Sequence, residues 1–232
     1  MTGRAETRQL PLDLAVAPSY ARDDFLPAAC NRAALARVED WRTWPAAKLV
    51  VSGPPASGKT HLAHIWAATA GAAVVTGTAL RIDAVPALAR GNVAVDGADA
   101  VAGAAEGERA LLHLHNALRD AGRTLLMTAR AEPGRWGIVL PDLGSRVTAT
   151  DHVRLDPPDE TMLAAVLVKL FADRQLPVSP ALVGWMVRRM ERSLSAARDL
   201  VAALDAAAFA AKGPVTRDMA AALLDKPGGD PR

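Results

Sequence analysis

Between Lys48 and Leu155 the chain sets short, almost wholly apolar runs against longer stretches whose apolar residues recur every three or four positions. The runs KLVVS (48–52), AAVVT (72–76), NVAVD (92–96), TLLMT (124–128) and HVRL (152–155) are mostly β-branched and too short for helices, so they predict strands. Helical patterns between them include His61–Ala70, Ile82–Ala89 and Glu108–Ala121. Strands alternating with helices predict an α/β fold, a parallel sheet covered by helices on both faces. Ligands of such sheets gather at the carboxyl ends of the strands.

Beyond DPPDE (156–160) the strand pattern stops. Leu163, Val166, Leu167, Leu170 and Phe171 share one helical face. Ser179 and Pro180 supply a cap and a first-turn proline for a second helix through LVGWMVRRM. A third is expected from about Leu194 to Lys212, stopped by Gly213-Pro214, and Thr216 can cap a short last helix through Leu224. The tail KPGGDPR lacks periodicity and is expected to be disordered. The expected layout is a flexible segment over 1–17, an α/β unit over 18–157, an all-helical unit over 158–225 and a tail over 226–232.

Composition narrows the class only a little. Half of the 232 residues are apolar and 22% are charged, which is globular rather than disordered. A net charge of +2 is too mild to imply nucleic-acid binding, so any DNA contact must come from a local patch. Arg188, Arg189 and Arg192 form one basic cluster, read first as a solvated helix face and second as a partner or DNA contact. Cys30 is the single cysteine, which excludes an internal disulfide and a thiolate metal site. No apolar run reaches the length of a membrane span, and the N-terminal residues lack a signal-peptide core, so a cytoplasmic protein is expected. His61 and His64 lie one helical turn apart without a third ligand, and satisfied or exposed histidines are the better reading.

Chemistry enters at GPPASGKT, Gly53 to Thr60, which fits G-x-x-x-x-G-K-[ST] in full, with a strand before it and a helix after it. Small residues there let backbone N–H groups close around phosphate oxygens at a helix N-terminus. Pro54, Pro55, Ala56, Ser57, Gly58, Lys59, Thr60 and His61 therefore line the expected site of ATP or ADP. Lys59 is expected to reach the β- and γ-phosphates, and the Thr60 hydroxyl to ligate Mg²⁺. NVAVD ends in Asp96, which places a carboxylate beside that metal. Gly97 follows, where many ATPases carry the glutamate that orients water; Asp99 is the nearest substitute. The combination predicts a nucleotide holder that hydrolyses poorly by itself.

Further stretches narrow the family. LPDLGSRV (140–147) reads as a short proline-started turn with Arg146 at its end, AARDLVAAL (196–204) puts Arg198 on a helix of the small unit, and PSYARDDFLPAACNRAA (18–34) leads into the first helix. With the phosphate loop, these resemble the P-loop AAA+ module of the bacterial replication initiator DnaA over about residues 18–225. DnaA-type initiators continue into a helix-turn-helix domain, whereas only a few residues follow Leu224 here. A module of that kind, led by a clamp-binding peptide, is similar to the Hda family, whose members hold ADP, bind the DNA-loaded sliding clamp and make DnaA hydrolyse its ATP. QLPLDL, with Gln9, Leu10, Pro11, Leu12 and Leu14, is similar to the family's docking peptide. Proline stiffens it in an extended form, and alternating leucines suit an apolar groove; an edge strand or a flap on the protein's own surface is the plain alternative.

The resemblance implies roles residue by residue. Thr60 and Asp96 hold the metal, and Thr128 stands at the sensor position of the fourth strand, beside an unusual Arg130. Arg198 corresponds to the small-domain arginine that touches the phosphates, and Phe25 and Leu26 lie near the adenine. Arg146 corresponds to an arginine finger, catalytic in trans at a neighbour's nucleotide; a surface pair with Asp142 is its plain alternative. Implied partners are DnaA and the DNA polymerase III sliding clamp (β subunit), with DNA reached only indirectly through the clamp and a homodimer left open. A replisome-associated location follows. The competing readings are a clamp-loader-like or helicase-loader-like DNA-stimulated ATPase, and a small-molecule P-loop kinase.

Overall fold

The computed structural model describes residues 20–225; the clamp-like segment 9–14 and the tail 226–232 lie outside the described residues. Five strands form one parallel sheet: β1 (Lys48–Ser52), β2 (Ala73–Thr76), β3 (Val93–Asp96), β4 (Leu125–Ala129) and β5 (His152–Arg154), in the order β2-β3-β4-β1-β5. Each agrees with its expected run to within a residue. β1 lies between β4 and β5, with Val50 opposite Met127 on one side and His152 on the other. The interior strands β1, β3 and β4 are covered on both faces and almost wholly buried, which is why their runs are continuous rather than alternating, whereas the edge strands β2 and β5 are half-buried or exposed.

Successive strand residues feed opposite layers. Val50, Val93, Val95, Leu125 and Met127 pack with Leu111, Leu114 and Leu118 of α4 (Ala105–Asp120) and with Leu143 and Val147 of α5 (Pro141–Thr148). Leu49, Val51, Ala94 and Leu126 pack against α1 (Arg32–Glu39), α2 (Lys59–Ala70), Trp44 and Trp66. The Ile82–Ala89 pattern resolves into a 3-10 turn, Ile82–Ala84, and a single α turn, α3 (Val85–Leu88).

Four helices follow: α6 (Glu160–Asp173), α7 (Pro180–Val187), α8 (Leu194–Ala211) and α9 (Arg217–Leu224). They close on a separate core around Leu163, Leu167, Phe171, Met186, Val201 and Leu204. Ser179, Ser193 and Thr216 cap three of them by accepting N–H bonds from Leu182, Ala196 and Met219. α8 ends one residue earlier than expected, because Lys212 itself takes the left-handed conformation (φ 49°).

Two expectations are corrected. LPDLGSRV is not a turn: Pro141 occupies the first position of a full helix that buries Leu143 and Val147 one turn apart. Nor do the arginines share a helix face, since α7 stops at Val187 and Arg188, Arg189 and Arg192 follow its end. Among the described residues no helix is long and apolar enough to cross a membrane.

Candidate functional site

The phosphate-type loop leaves β1 at Ser52 and enters α2 at Lys59, so it sits at the carboxyl end of an interior strand. Its path requires left-handed residues at Ala56 (φ 53°) and Gly58 (φ 100°). Gly53 lacks room for any side chain, since a Cβ there would stand 2.7 Å from the Leu155 carbonyl oxygen. Across the loop, a Cβ on Gly58 would meet the Phe25 ring at 3.3 Å. Lys59 turns its ammonium into the loop and donates to the carbonyls of Gly53 (2.8 Å) and Pro54 (2.6 Å). Burial lowers its pKa, and the charges of Asp96 and Asp99 oppose that shift.

Next to it three polar side chains form one chain of hydrogen bonds. Thr60 donates to Asp96 Oδ2 at 2.9 Å, and Thr128 donates to Asp96 Oδ1 at 2.6 Å. The Thr128 oxygen in turn accepts the Gly97 N–H at 2.8 Å. Residues separated by 36 and 32 positions thus meet at the ends of β3 and β4 and the start of α2. A threonine hydroxyl within hydrogen-bond reach of a carboxylate, beside a helix N-terminus, is a donor set suited to Mg²⁺ that keeps water and phosphate as its other ligands. The residues fit such an ion. Asp99, the expected substitute for a water-orienting glutamate, is engaged instead: its carboxylate accepts the Arg130 N–H at 2.9 Å.

The segment before α1 covers this site from one side. The Tyr20 ring stacks on His64 at 4.3 Å, and Phe25 meets His61 edge-on at 5.2 Å. His61 donates through Nε2 to the Ala21 carbonyl at 2.9 Å. Its pKa is lowered by burial, a shift that the Ala21 carbonyl and Asp24 oppose and that the exposed Arg198 of α8 reinforces. Leu26 is half-buried, its carbonyl accepting from Asn31 Nδ2 at 2.9 Å. The segment is tied to the helical unit as well, because Lys169 bridges Asp24 at 2.8 Å and Asp173 at 3.0 Å.

Arg146 stands apart from this constellation. It sits in the last turn of α5, just before β5, whose start runs beside Val50 in a parallel pair. That is the amino end of the sheet, opposite the loop. Buried Lys48, which opens β1, and buried His115 of α4 both feel its charge. Burial, reinforced by Lys48 and Arg146, pushes His115 down to about 4. Arg146 bonds Asp142 on its own helix at 3.1 and 3.3 Å. An exposed pair of this kind is worth about 0–1 kcal/mol and yields readily to a better anion.

One residue that sequence reasoning missed holds the approach to α5. The Glu108 side chain, 2% exposed, accepts N–H bonds from Gly103 (2.8 Å), Val139 (2.9 Å) and Leu140 (2.7 Å). Burial alone raises a carboxyl pKa, but those three donors outweigh it and hold Glu108 below its ordinary value. No local pattern marks this role, because two partners lie more than thirty positions away.

Fold and loop together have the architecture of a P-loop AAA+ module. Comparison with solved structures agrees: domain III of the Thermotoga maritima replication initiation protein DnaA matches with TM-score 0.79 and 18% identity, covering 91% of this chain and 99% of that one. AMPPCP-bound DnaA from Aquifex aeolicus matches with TM-score 0.69 at 14% identity, over 84% of this chain and 68% of its own. A single-residue variant of Thermotoga maritima RuvB gives TM-score 0.69 at 18%, over 89% and 72%. At such identities the likeness is one of fold alone. No protein-family model matches the chain. A Haemophilus influenzae protein of uncharacterised function is 27% identical over 125 residues, 53% of this chain. The match spans 54% of that relative, about half its length.

Proposed function

We propose that this chain is an Hda-type regulator: a nucleotide-holding AAA+ protein that docks on the DNA-loaded sliding clamp through Gln9–Leu14 and drives ATP hydrolysis by DnaA with Arg146. The observation that carries the reading is the separation of two sites. A nucleotide-type loop stands at the carboxyl end of the sheet, and an arginine with only a weak local partner stands at the amino end. An arginine so placed is remote from the loop of its own subunit, which suits action on a neighbour.

In this reading Lys59, Thr60, Asp96 and Thr128 hold ADP or ATP with Mg²⁺, and Arg198 reaches the phosphates from the helical unit. The metal neutralises phosphate charge when bound. Leu26 and Phe25 border the base. Intrinsic hydrolysis is weak, because Gly97 has no side chain and the Asp99 carboxylate is already committed to Arg130. Nucleotide therefore acts as a structural ligand that fixes the helical unit against the core. Arg146, held toward the partner, stabilises charge on the transferring phosphoryl group, an effect on the order of 10³–10⁵ in rate. The expected layout, 1–17, 18–157, 158–225 and 226–232, belongs to the same proposal.

The test measures ATP hydrolysis by DnaA with clamp-loaded DNA, adding this protein, its Arg146→Ala form, or neither. Stimulation by the wild type alone supports the regulator. Strong DNA-stimulated hydrolysis by the isolated protein, without effect on DnaA, replaces it with the loader-type ATPase. A Gln9→Ala/Leu10→Ala variant that still binds the clamp at wild-type affinity removes the docking assignment.

A further inference from the structure

The end of α7 carries arginines in an arrangement that the nucleotide site does not use. The Arg189 guanidinium carbon lies 4.4 Å from the centroid of the Trp185 ring, and that of Arg217, which opens α9, lies 5.0 Å from the same centroid. Trp185 is 9% exposed and fixed in the helical core, so it acts as a rigid platform. Arg188 reaches back over Gly184, with Nη1 3.5 Å from where a Cβ would stand. All three arginines are exposed, and none forms an ion pair or side-chain hydrogen bond with another described residue. Arg192, by contrast, is taken by Glu160 at 2.8 Å.

We infer that Arg188, Arg189 and Arg217 form a surface that binds the phosphate backbone of duplex DNA without reading its sequence. Cations near the end of a helix offset its dipole, but this accounts for neither the shared indole nor Arg217, which belongs to another helix. A guanidinium stacked on an aromatic face is held in one plane, so less freedom is lost when its N–H fork meets a phosphate. Two such groups on one ring stay close together, while each DNA strand offers a phosphate about every 3.4 Å of axis. An acidic peptide matches the charge, but peptide recognition relies on apolar anchors. The exposed large apolar residues, Val74, Ile82, Val139, Val168 and Phe209, include none from α7 or α9. Backbone contacts to DNA need no such anchors. The inference is independent of any action of Arg146 on a partner.

The experiment is fluorescence anisotropy of a labelled duplex of scrambled sequence with the full chain, titrated over about 50–200 mM salt. Three phosphate contacts predict a log–log slope of about −2.7, and Arg217→Ala makes it shallower by about 0.9. Arg189→Ala/Arg217→Ala is expected to lose most binding while far-UV circular dichroism and thermal midpoint stay near wild type. Arg189→Lys/Arg217→Lys, which keeps the charge and loses the fork, is expected to fall between. The proposal is overturned if the wild type does not bind at the lowest salt, or if the double alanine variant keeps the wild-type slope. It is also overturned if an oligoglutamate of equal charge displaces the duplex at lower concentration, which would assign the surface to an acidic protein.

Discussion

Glu108 offers a quantitative test of how the α5 helix is positioned. Oε1 accepts from Gly103 and Val139, and Oε2 accepts from Leu140. A glutamine can keep its carbonyl at the Oε1 position and satisfy the first two donors. It then turns an NH₂ group toward the Leu140 N–H, and one orphaned buried donor costs about 1–3 kcal/mol. Alanine orphans all three, and a loss of about 3–5 kcal/mol follows, at the upper end of single substitutions. Each kcal/mol lowers the thermal midpoint by roughly 2–4 °C in a chain of this size. Glu106 is the internal control. It shares the first turn of α4 and its helix dipole but is exposed, so Glu106→Gln should stay within about 0.5 kcal/mol of wild type. The assay is urea denaturation at neutral pH, repeated in acid. Because the folded-state pKa of Glu108 is depressed, its stabilisation is present above the ordinary carboxyl value and is lost as pH falls through the folded value. The gap between wild type and Glu108→Gln should therefore close in acid. Equal effects at Glu106 and Glu108, or a gap that widens on acidification, would refute the assignment.

Other outcomes follow from the same structure. Gly77→Ala drives a Cβ into the Gly97 carbonyl oxygen, a backbone clash that costs about 1–3 kcal/mol in thermal melts; an unchanged midpoint contradicts it. His115, held at about 4 in the fold against an ordinary 6.5, binds its proton more readily when unfolded. Stability should therefore fall as pH drops from 6.5 towards 4, by at most about 1.4 kcal/mol per unit, and His115→Gln should flatten that slope. Lys59→Ala is expected to weaken ADP binding at least about tenfold, the loss of a charge-assisted bond, in a fluorescent-nucleotide titration. Unaltered affinity would remove Lys59 from the phosphate contacts.

The parts of this molecule legible in its sequence are those specified locally. Strands buried on both faces advertise themselves as continuous β-branched runs, and the loop motif carries its own strand and helix. The α5 helix is harder to read because Pro141 and Gly144 resemble turn residues, although Leu143 and Val147 hold the helical spacing. The end of α7 is concealed for the opposite reason. Val183, Met186, Val187 and Met190 continue a helical period past the true stop, without glycine or proline to mark it. The chain of Thr60, Asp96 and Thr128 could be assembled in advance only because the motif and strand order bring them together. The bonds of Glu108 to Val139 and Leu140, and the place of Arg217 on Trp185, depend on tertiary neighbours that no window of sequence contains.

The segment that begins at Tyr20 also has a mechanical meaning. Tyr20 lies flat on His64, and the Ala21 carbonyl holds His61, one turn below on the helix that starts with Lys59. A few residues later, Asp24 grips Lys169 of the helical unit. A load applied to the chain ahead of Tyr20 is thus delivered first to the helix that carries Lys59 and Thr60, and only then to the helical unit. Under the proposed function, a leading end docked on the clamp and the loop that holds phosphate would lie on that one path.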